Sequence, residues 1–113
     1  MSKQKSKYKG KIAIPSIGNT LESSICSNLG RSPFIIIYDS EIKKYNCLEN
    51  YGFLVQDGSG LKATEIIIQN NVDTLLTREI GHKAYSVLVK EHVVIHLLDS
   101  ISTVKSAINK FLK

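Results

Sequence analysis

The residue with the clearest capacity for chemistry is Cys26, which lies in the middle of a segment rich in serine, glycine and asparagine, residues 16–33. A cysteine thiolate is a good ligand for soft metal ions and for metal–sulfur species. Loops of this length inside a compact domain are uncommon and are often functional. Cysteine is also among the most buried residue types, so Cys26 is interpreted either as a ligand or as a small core residue.

The three histidines do not form a recognisable metal motif. His92 and His96 have the His-x-x-x-His spacing, but they are predicted at the end of a helix and within a strand, not on one face of a single helix. His82 follows Gly81 at the start of a predicted helix, where either an exposed side chain or a ligand is expected. His92 is expected to face solvent at the end of the same helix, and His96 to lie within or at the end of an apolar strand. Cys47 lies among apolar residues of another predicted strand, which favours a core position.

Hydrophobic periodicity predicts the elements that position these residues. Short apolar runs predict five strands, at residues 11–15, 34–39, 44–50, 73–77 and 93–98. Spacings of three and four predict helices at residues 61–70, residues 81–91 and the C-terminus, the last with Ser100 or Ser102 as its N-cap. The order β-β-β-α-β-α-β-α indicates one α/β domain, a mixed five-stranded sheet with helices on both faces. The fifth strand is continuously apolar, which is typical of parallel strands covered on both faces.

The formal net charge of +5 is concentrated at the start of the chain. Five lysines and no acidic residue occur in residues 1–11, and residues 12–113 hold equal numbers of basic and acidic residues. We therefore expect a flexible lysine-rich leader at residues 1–10 and a balanced domain at residues 11–113. Nucleic-acid binding by the domain is not predicted. A protein or nucleic-acid interaction through the basic leader is the alternative function.

Two cysteines are too few for a disulfide-stapled secreted scaffold, and a reducing cytoplasm is the expected location. No apolar run approaches the length that spans a bilayer, and no signal-peptide pattern follows the lysines. We expect no association with a membrane.

Four blocks of the chain resemble the NifX/NifB-like proteins that are named for dinitrogenase iron-molybdenum cofactor biosynthesis. The blocks are KIAIPSIG from residue 11, LGRSPFIIIYD from residue 29, GLKATEIIIQNNVDTLLT from residue 60 and IGHKAYSVL from residue 80. They match the family's first strand, its Phe-Gly-Arg-x-Pro-Tyr/Phe signature, its Gly-x-Lys-Ala helix entry and its Ile-Gly-x-x-Ala helix. The resemblance covers residues 11–113.

The resemblance implies a ribonuclease H-like fold, a three-layer α/β/α arrangement with sheet order 3-2-1-4-5 and an antiparallel second strand. It also implies a non-enzymatic binding or carrier protein for an iron–sulfur or molybdenum–iron–sulfur cofactor or its precursor. Cofactor-assembly proteins are the implied partners, and the chain is expected to be a monomer or a homodimer.

Two departures from the family pattern affect the expected site. Some members carry a histidine two residues before the signature glycine, and Asn28 stands at that position here. Because an amide is a poor ligand for iron, the ligand of those members has either moved to Cys26, which is the predicted metal ligand, or been lost. Arg78 stands where the family often has glycine, which places a positive charge near the expected site.

An anionic cluster also requires cationic and backbone N–H groups, which helix N-termini supply. Surface ion pairs and ordinary tight turns are the alternative interpretations of the same residues. The residues predicted to contact the cluster are Cys26, Asn28, Arg31, Gly58, Ser59, Gly60, Gly81 and His82.

Enzymatic activity is not predicted. Nucleases of the ribonuclease H-like fold hold metal ions with carboxylates, one of them on the first strand. Residues 11–15 contain no Asp or Glu, and no nucleophile–base pair is indicated by spacing.

Overall fold

The computed structural model describes residues 8–51, 59–100 and 102–113. Its strands are β1 (Lys11–Ser16), β2 (Phe34–Asp39), β3 (Lys44–Glu49), β4 (Thr74–Thr77) and β5 (Val94–Leu97). Its helices are α1 (Ser59–Gln69), α2 (His82–Lys90) and α3 (Val104–Leu112), and a 3-10 helix spans Leu29–Arg31. No helix in this part of the chain is long and apolar enough to cross a membrane.

The five strands form one mixed sheet in the order β3-β2-β1-β4-β5. β2 is antiparallel to both β1 and β3, whereas β4 is parallel to both β1 and β5. The order and directions confirm the predicted fold. The carboxyl ends of β1, β4 and β5 lie at one edge of the sheet, together with the start of β2.

Alternation along the strands separates two apolar cores, one on each face of the sheet. α1 and α2 cover one face, where Ala13, Ile35 and Leu75 pack against Ala63, Ile67 and Leu88. α3 covers the other face, with Ile12, Ile14, Ile36 and Leu76 against Val104, Ala107 and Ile108. The predicted three-layer arrangement is thus present, and Cys47 packs half-buried against the α3 core.

The ends of the helices are explained by local backbone conformation and by capping hydrogen bonds. Asn71 and His92 come shortly after α1 and α2 with φ values of 56° and 64°. This left-handed conformation ends a helix and is tolerated well by asparagine. The predicted N-cap of α3 is wrong, because the Thr103 side chain accepts the hydrogen bond from Ser106 N at 3.1 Å. Ser102 is one residue too early for that geometry.

The prediction that the fifth strand is covered on both faces is also wrong. β5 lies at the edge of the sheet, and Val94 and Leu97 are 61% and 60% exposed. His96 is exposed as well, with its ring edge-on to Phe111 at 5.5 Å between centroids. The apolar sequence indicated a buried strand, but β5 is an edge strand that has a neighbouring strand on one side only.

The folded domain begins before residue 11. The ring of Tyr8 packs edge-on against Phe111 of α3 at 5.2 Å, and its hydroxyl hydrogen-bonds Thr74 Oγ1 at 2.7 Å. Gly10 N donates to Ser40 Oγ at 2.9 Å. Residues 1–7 lie outside the described residues, so the flexibility predicted for the leader stays a prediction there.

Candidate functional site

The segment that contains Cys26 turns back along the end of β1. Ile17 N donates to Ser24 O at 2.9 Å, and Cys26 N donates to Pro15 O at 3.0 Å. An isolated antiparallel bridge joins Ser16 and Ile25. Cys26 is therefore held at the carboxyl end of β1 by backbone hydrogen bonds.

The same segment is also fastened to the start of α3. Ile25 N donates to Ser102 O at 2.9 Å, and Val104 N donates to Ser23 O at 2.9 Å. Lys105 N donates to Leu21 O at 2.8 Å. These contacts join residues that are about 80 positions apart, which hydrophobic periodicity does not predict.

A second connection brings Cys26 close to the end of β4. Glu79 N donates to Ser27 O at 2.9 Å, and Asn28 pairs with Glu79 in an isolated parallel bridge. The thiol of Cys26 is half-buried and donates to Asn28 O at 3.6 Å. The residues that follow β1 and β4 thus form one continuous surface at the carboxyl edge of the sheet.

Asn28 has a structural role, because its side chain caps a helix. Its Oδ1 accepts a hydrogen bond from Gly30 N at 2.9 Å, which makes it the N-cap of the 3-10 helix. Gly30 is buried within that helix, and Arg31 is exposed at its end. An amide that already caps a helix is a poorer candidate for metal ligation than a thiol.

Asn50 was not singled out by the sequence, although it organises this part of the site. It is 3% exposed, and its Nδ2 donates to Leu29 O at 3.0 Å and to Ser32 O at 2.8 Å. It therefore ties the 3-10 helix to the end of β3. The predicted strand ended on Asn50, and a lone asparagine at a strand end gives no signal of where its amide points.

The starts of α1 and α2 lie side by side. A Cβ atom on Gly60 would lie 3.4 Å from the Cβ of Ala84, which is a close helix–helix approach. α1 begins at Ser59, two residues before the predicted start at residue 61, so Gly60 is helical. Glycine at this position allows the two helices to approach closely. Gly58 and the side chain of Ser59 lie outside the described part of the chain.

The predicted residues on α2 are at its first turn. Gly81 is the N-cap with extended backbone and no side-chain capping bond, and His82 is the first helical residue. Both are exposed. Neither α1 nor α2 has an acidic residue in its first turn, so both helix starts keep the positive end of the helix dipole.

Arg78, just after β4, carries a side-chain donor without a hydrogen-bond partner. Its Nε is buried and has no hydrogen-bond partner in the structure, the one such side-chain atom among the described residues. Arginine stays protonated in proteins, and buried donors on charged groups are normally satisfied. Arg78 is one residue before the bridge between Glu79 and Asn28. An anionic ligand at this edge would satisfy the donor.

The described side chains do not form a metal site by themselves. Across residues 8–51, 59–100 and 102–113, no group of three or more His, Cys, Asp or Glu residues is placed to hold a metal ion. Cys26 is a single soft donor after β1, and the buried Nε of Arg78 follows β4 at the same end of the sheet.

The family model described as dinitrogenase iron-molybdenum cofactor matches residues 10–113. The structure is also similar to several solved structures, among them two with TM-scores of at least 0.80. The apo form of the orange protein from Desulfovibrio gigas has a TM-score of 0.84 at 22% identity, over 93% of this chain and 88% of that chain. A putative NifB protein from Thermotoga has a TM-score of 0.80 at 28% identity, over 90% of this chain and 86% of that chain. No curated protein shows significant similarity.

Proposed function

The chain belongs to the dinitrogenase iron-molybdenum cofactor family, and we propose that it is a non-enzymatic carrier for an iron–sulfur or molybdenum–iron–sulfur cluster or its precursor. The cluster is cargo, received from and passed to cofactor-assembly proteins. The observation that carries this proposal is the buried, unpartnered Nε of Arg78 at the same edge of the sheet as Cys26. The orange protein, which has the same fold, was solved in an apo form.

The proposed site uses one thiolate and several positive groups. Cys26 would bind through its sulfur after losing its proton and its hydrogen bond to Asn28 O. Arg78 and the first-turn amides of α1 and α2 would offset the negative charge of the cargo. Arg31 and His82, both exposed, would border the opening.

We expect the protein, purified without oxygen, to take up tetrathiomolybdate or iron supplied with sulfide. Uptake is measured by metal and sulfide analysis after gel filtration and by the absorption spectrum. Cys26→Ala should remove a ligand and abolish retention of the cluster. Arg78→Gln should weaken binding roughly tenfold or more, because a charge-assisted hydrogen bond contributes about 1.5–3 kcal/mol.

Cys47→Ala is the matched control, since Cys47 is also half-buried but lies on β3, two strands from β1. It should bind as the unaltered protein does. Absence of uptake by the unaltered protein would overturn the carrier function. Normal uptake by Cys26→Ala together with its loss in His82→Ala would transfer the ligand role from Cys26 to His82.

A further inference from the structure

Residues 21–25 and the first turn of α3 satisfy each other's backbone groups. Val104 N donates to Ser23 O at 2.9 Å, and Lys105 N donates to Leu21 O at 2.8 Å. These N–H groups are the first two of α3, and such groups have no carbonyl partner inside a helix. The start of α3 is therefore completed by carbonyl groups from a segment that is distant in the chain.

Side chains join the same two parts of the molecule. Ile25 and Val104 are almost fully buried, and both belong to the α3 core. Leu21 is half-buried and packs against that core as well. Ile25 N also donates to Ser102 O at 2.9 Å. Residues 21–25 and α3 thus share an apolar core and a set of hydrogen bonds, and together they are called the α3 unit below.

α3 has fewer neighbours than the other two helices. α1 and α2 lie side by side over one face of the sheet, where a Cβ atom on Gly60 would come within 3.4 Å of the Cβ of Ala84. Among the described residues, no other helix contributes to the α3 core. An open groove of about 720 Å³, lined by Ala107 and Phe111 of α3, separates this helix from the end of β5. Parts of a fold with fewer packed neighbours open more readily than the rest.

Cys26 lies at the junction between the α3 unit and the sheet. It directly follows residues 21–25, and its own N–H donates to Pro15 O at 3.0 Å at the end of β1. The next residue, Ser27, accepts from Glu79 N at 2.9 Å after β4. While the α3 unit is docked, the backbone of Cys26 is therefore held on both sides. When the unit opens, only the hydrogen bonds to the sheet remain.

We propose that the α3 unit opens and closes as one body while the rest of the domain stays folded, and that its opening exposes the Cys26 thiol and releases cargo held there. The release of cargo rests on the proposed carrier function, whereas the opening and the exposure of Cys26 do not. Cargo that binds the closed form more tightly must keep the unit closed, and a change that opens the unit must weaken binding correspondingly. α3 thus controls the site without supplying a ligand to it.

Hydrogen exchange of the protein without cargo tests whether the unit exists. Ile108→Val shortens a side chain of the α3 core that is 3% exposed. It should speed exchange of the Ile25, Val104 and Lys105 amides together, by roughly twofold to tenfold, which is the usual effect of this substitution on an opening equilibrium. Ile67→Val is the matched control, since Ile67 is a buried residue of α1 on the other face. It should leave these three amides unchanged.

Three results of the exchange experiment would overturn the proposal. Equal acceleration by Ile67→Val would mean that these amides exchange only when the whole domain unfolds. Acceleration at Lys105 without acceleration at Ile25 would mean that residues 21–25 stay in place when α3 opens. Unchanged exchange in Ile108→Val would mean that the amides become exposed without any opening of α3.

Thiol labelling tests whether the opening reaches Cys26. In a Cys47→Ser background Cys26 is the one remaining cysteine, and its reaction with an excess of an aromatic disulfide reagent is followed by absorbance. Ile108→Val should raise the labelling rate by the same factor as the exchange rates, and Ile67→Val should leave it unchanged. A labelling rate that Ile108→Val does not alter would overturn the link between the α3 unit and the site.

Release of tetrathiomolybdate tests the control of cargo. After loading without oxygen and dilution, Ile108→Val should lose molybdenum faster than the unaltered protein by the factor found in the exchange experiment, and Ile67→Val should not. Equal rates of loss from the two variants would overturn control by α3. If the unaltered protein takes up no molybdenum, the carrier function fails instead, and the exchange and labelling results still decide whether the unit opens and exposes Cys26.

Discussion

At the scale of single residues, three side chains determine the geometry of the candidate site. Asn28 caps the 3-10 helix, Asn50 donates to the carbonyl groups of its first residue and of the residue after it, and Arg78 brings an unpartnered buried donor to the same end of the sheet. The first two fix the backbone around Cys26, and the third gives the site its charge. Substituting Asn28 or Asn50 should therefore lower stability, whereas substituting Arg78 should weaken binding.

Replacing Asn50 should affect stability first. Asn50→Ala removes a buried donor from Ser32 O and from Leu29 O, of which Leu29 O keeps the Ser32 hydroxyl at 3.0 Å, so the free energy of unfolding should fall by about 1–3 kcal/mol. Urea denaturation followed by circular dichroism measures this. Asn46→Ala, at an exposed position of β3, should change stability by less than about 0.5 kcal/mol. Equal losses for the two variants would contradict the role of Asn50.

At the scale of elements, the site depends on how the segment after β1 is joined to β4 and α3. Backbone hydrogen bonds connect it to Ser102 and Lys105 on one side and to Glu79 on the other. The start of α3 is therefore part of the support for Cys26. The N-cap of α3 should therefore contribute measurably to this support.

Thr103→Ala should destabilise α3, because Thr103 Oγ1 accepts from Ser106 N. Loss of an N-cap costs about 1 kcal/mol, and thermal denaturation should show a correspondingly lower midpoint. Ser102→Ala is the control, since the Ser102 hydroxyl is exposed and makes one long hydrogen bond to Thr103 O. If Ser102→Ala lowered the midpoint more than Thr103→Ala, Ser102 would be the N-cap, as the sequence predicts.

At the scale of the whole molecule, the N-terminal segment contains both a residue packed against the domain and most of the excess positive charge. Tyr8 ties the chain start to β4 and α3, whereas the excess of lysine lies mostly before it. Binding of an acidic partner through the leader stays a prediction, to be recognised by steep salt dependence. The proposed binding of a cluster would instead use the balanced domain and the positive groups at the carboxyl ends of β1 and β4.

Tyr8 should also make stability depend on alkaline pH. Burial, opposed by the hydrogen bond to Thr74 and reinforced by Asp73, raises the pKa of the Tyr8 hydroxyl above its usual value of 10.0. The folded state therefore holds this proton more tightly, and the resulting stability is present below pH 10 and is lost as the pH rises through the higher folded-state pKa. Urea midpoints should fall more steeply above pH 10 for the unaltered protein than for Tyr8→Phe.

Tyr8→Ala gives the packing contribution at neutral pH. It removes both the ring contact with Phe111 and the hydrogen bond to Thr74, at a cost of about 2 kcal/mol. Tyr8→Phe should cost about half as much. Identical alkaline profiles for Tyr8→Phe and the unaltered protein would exclude the proposed proton linkage.

Apolar periodicity and short motifs are local properties, so they were enough to predict the element order, the two-faced sheet and the family. They also located the segment around Cys26. Features that depend on neighbours distant in the chain emerge only in the folded molecule. They are the bridge from Asn28 to Glu79, the amide of Asn50, the buried Nε of Arg78 and the position of β5 at the edge. An apolar strand has the same pattern whether a helix, a strand or a second molecule covers it. The contacts that distinguish these cases exist only after folding.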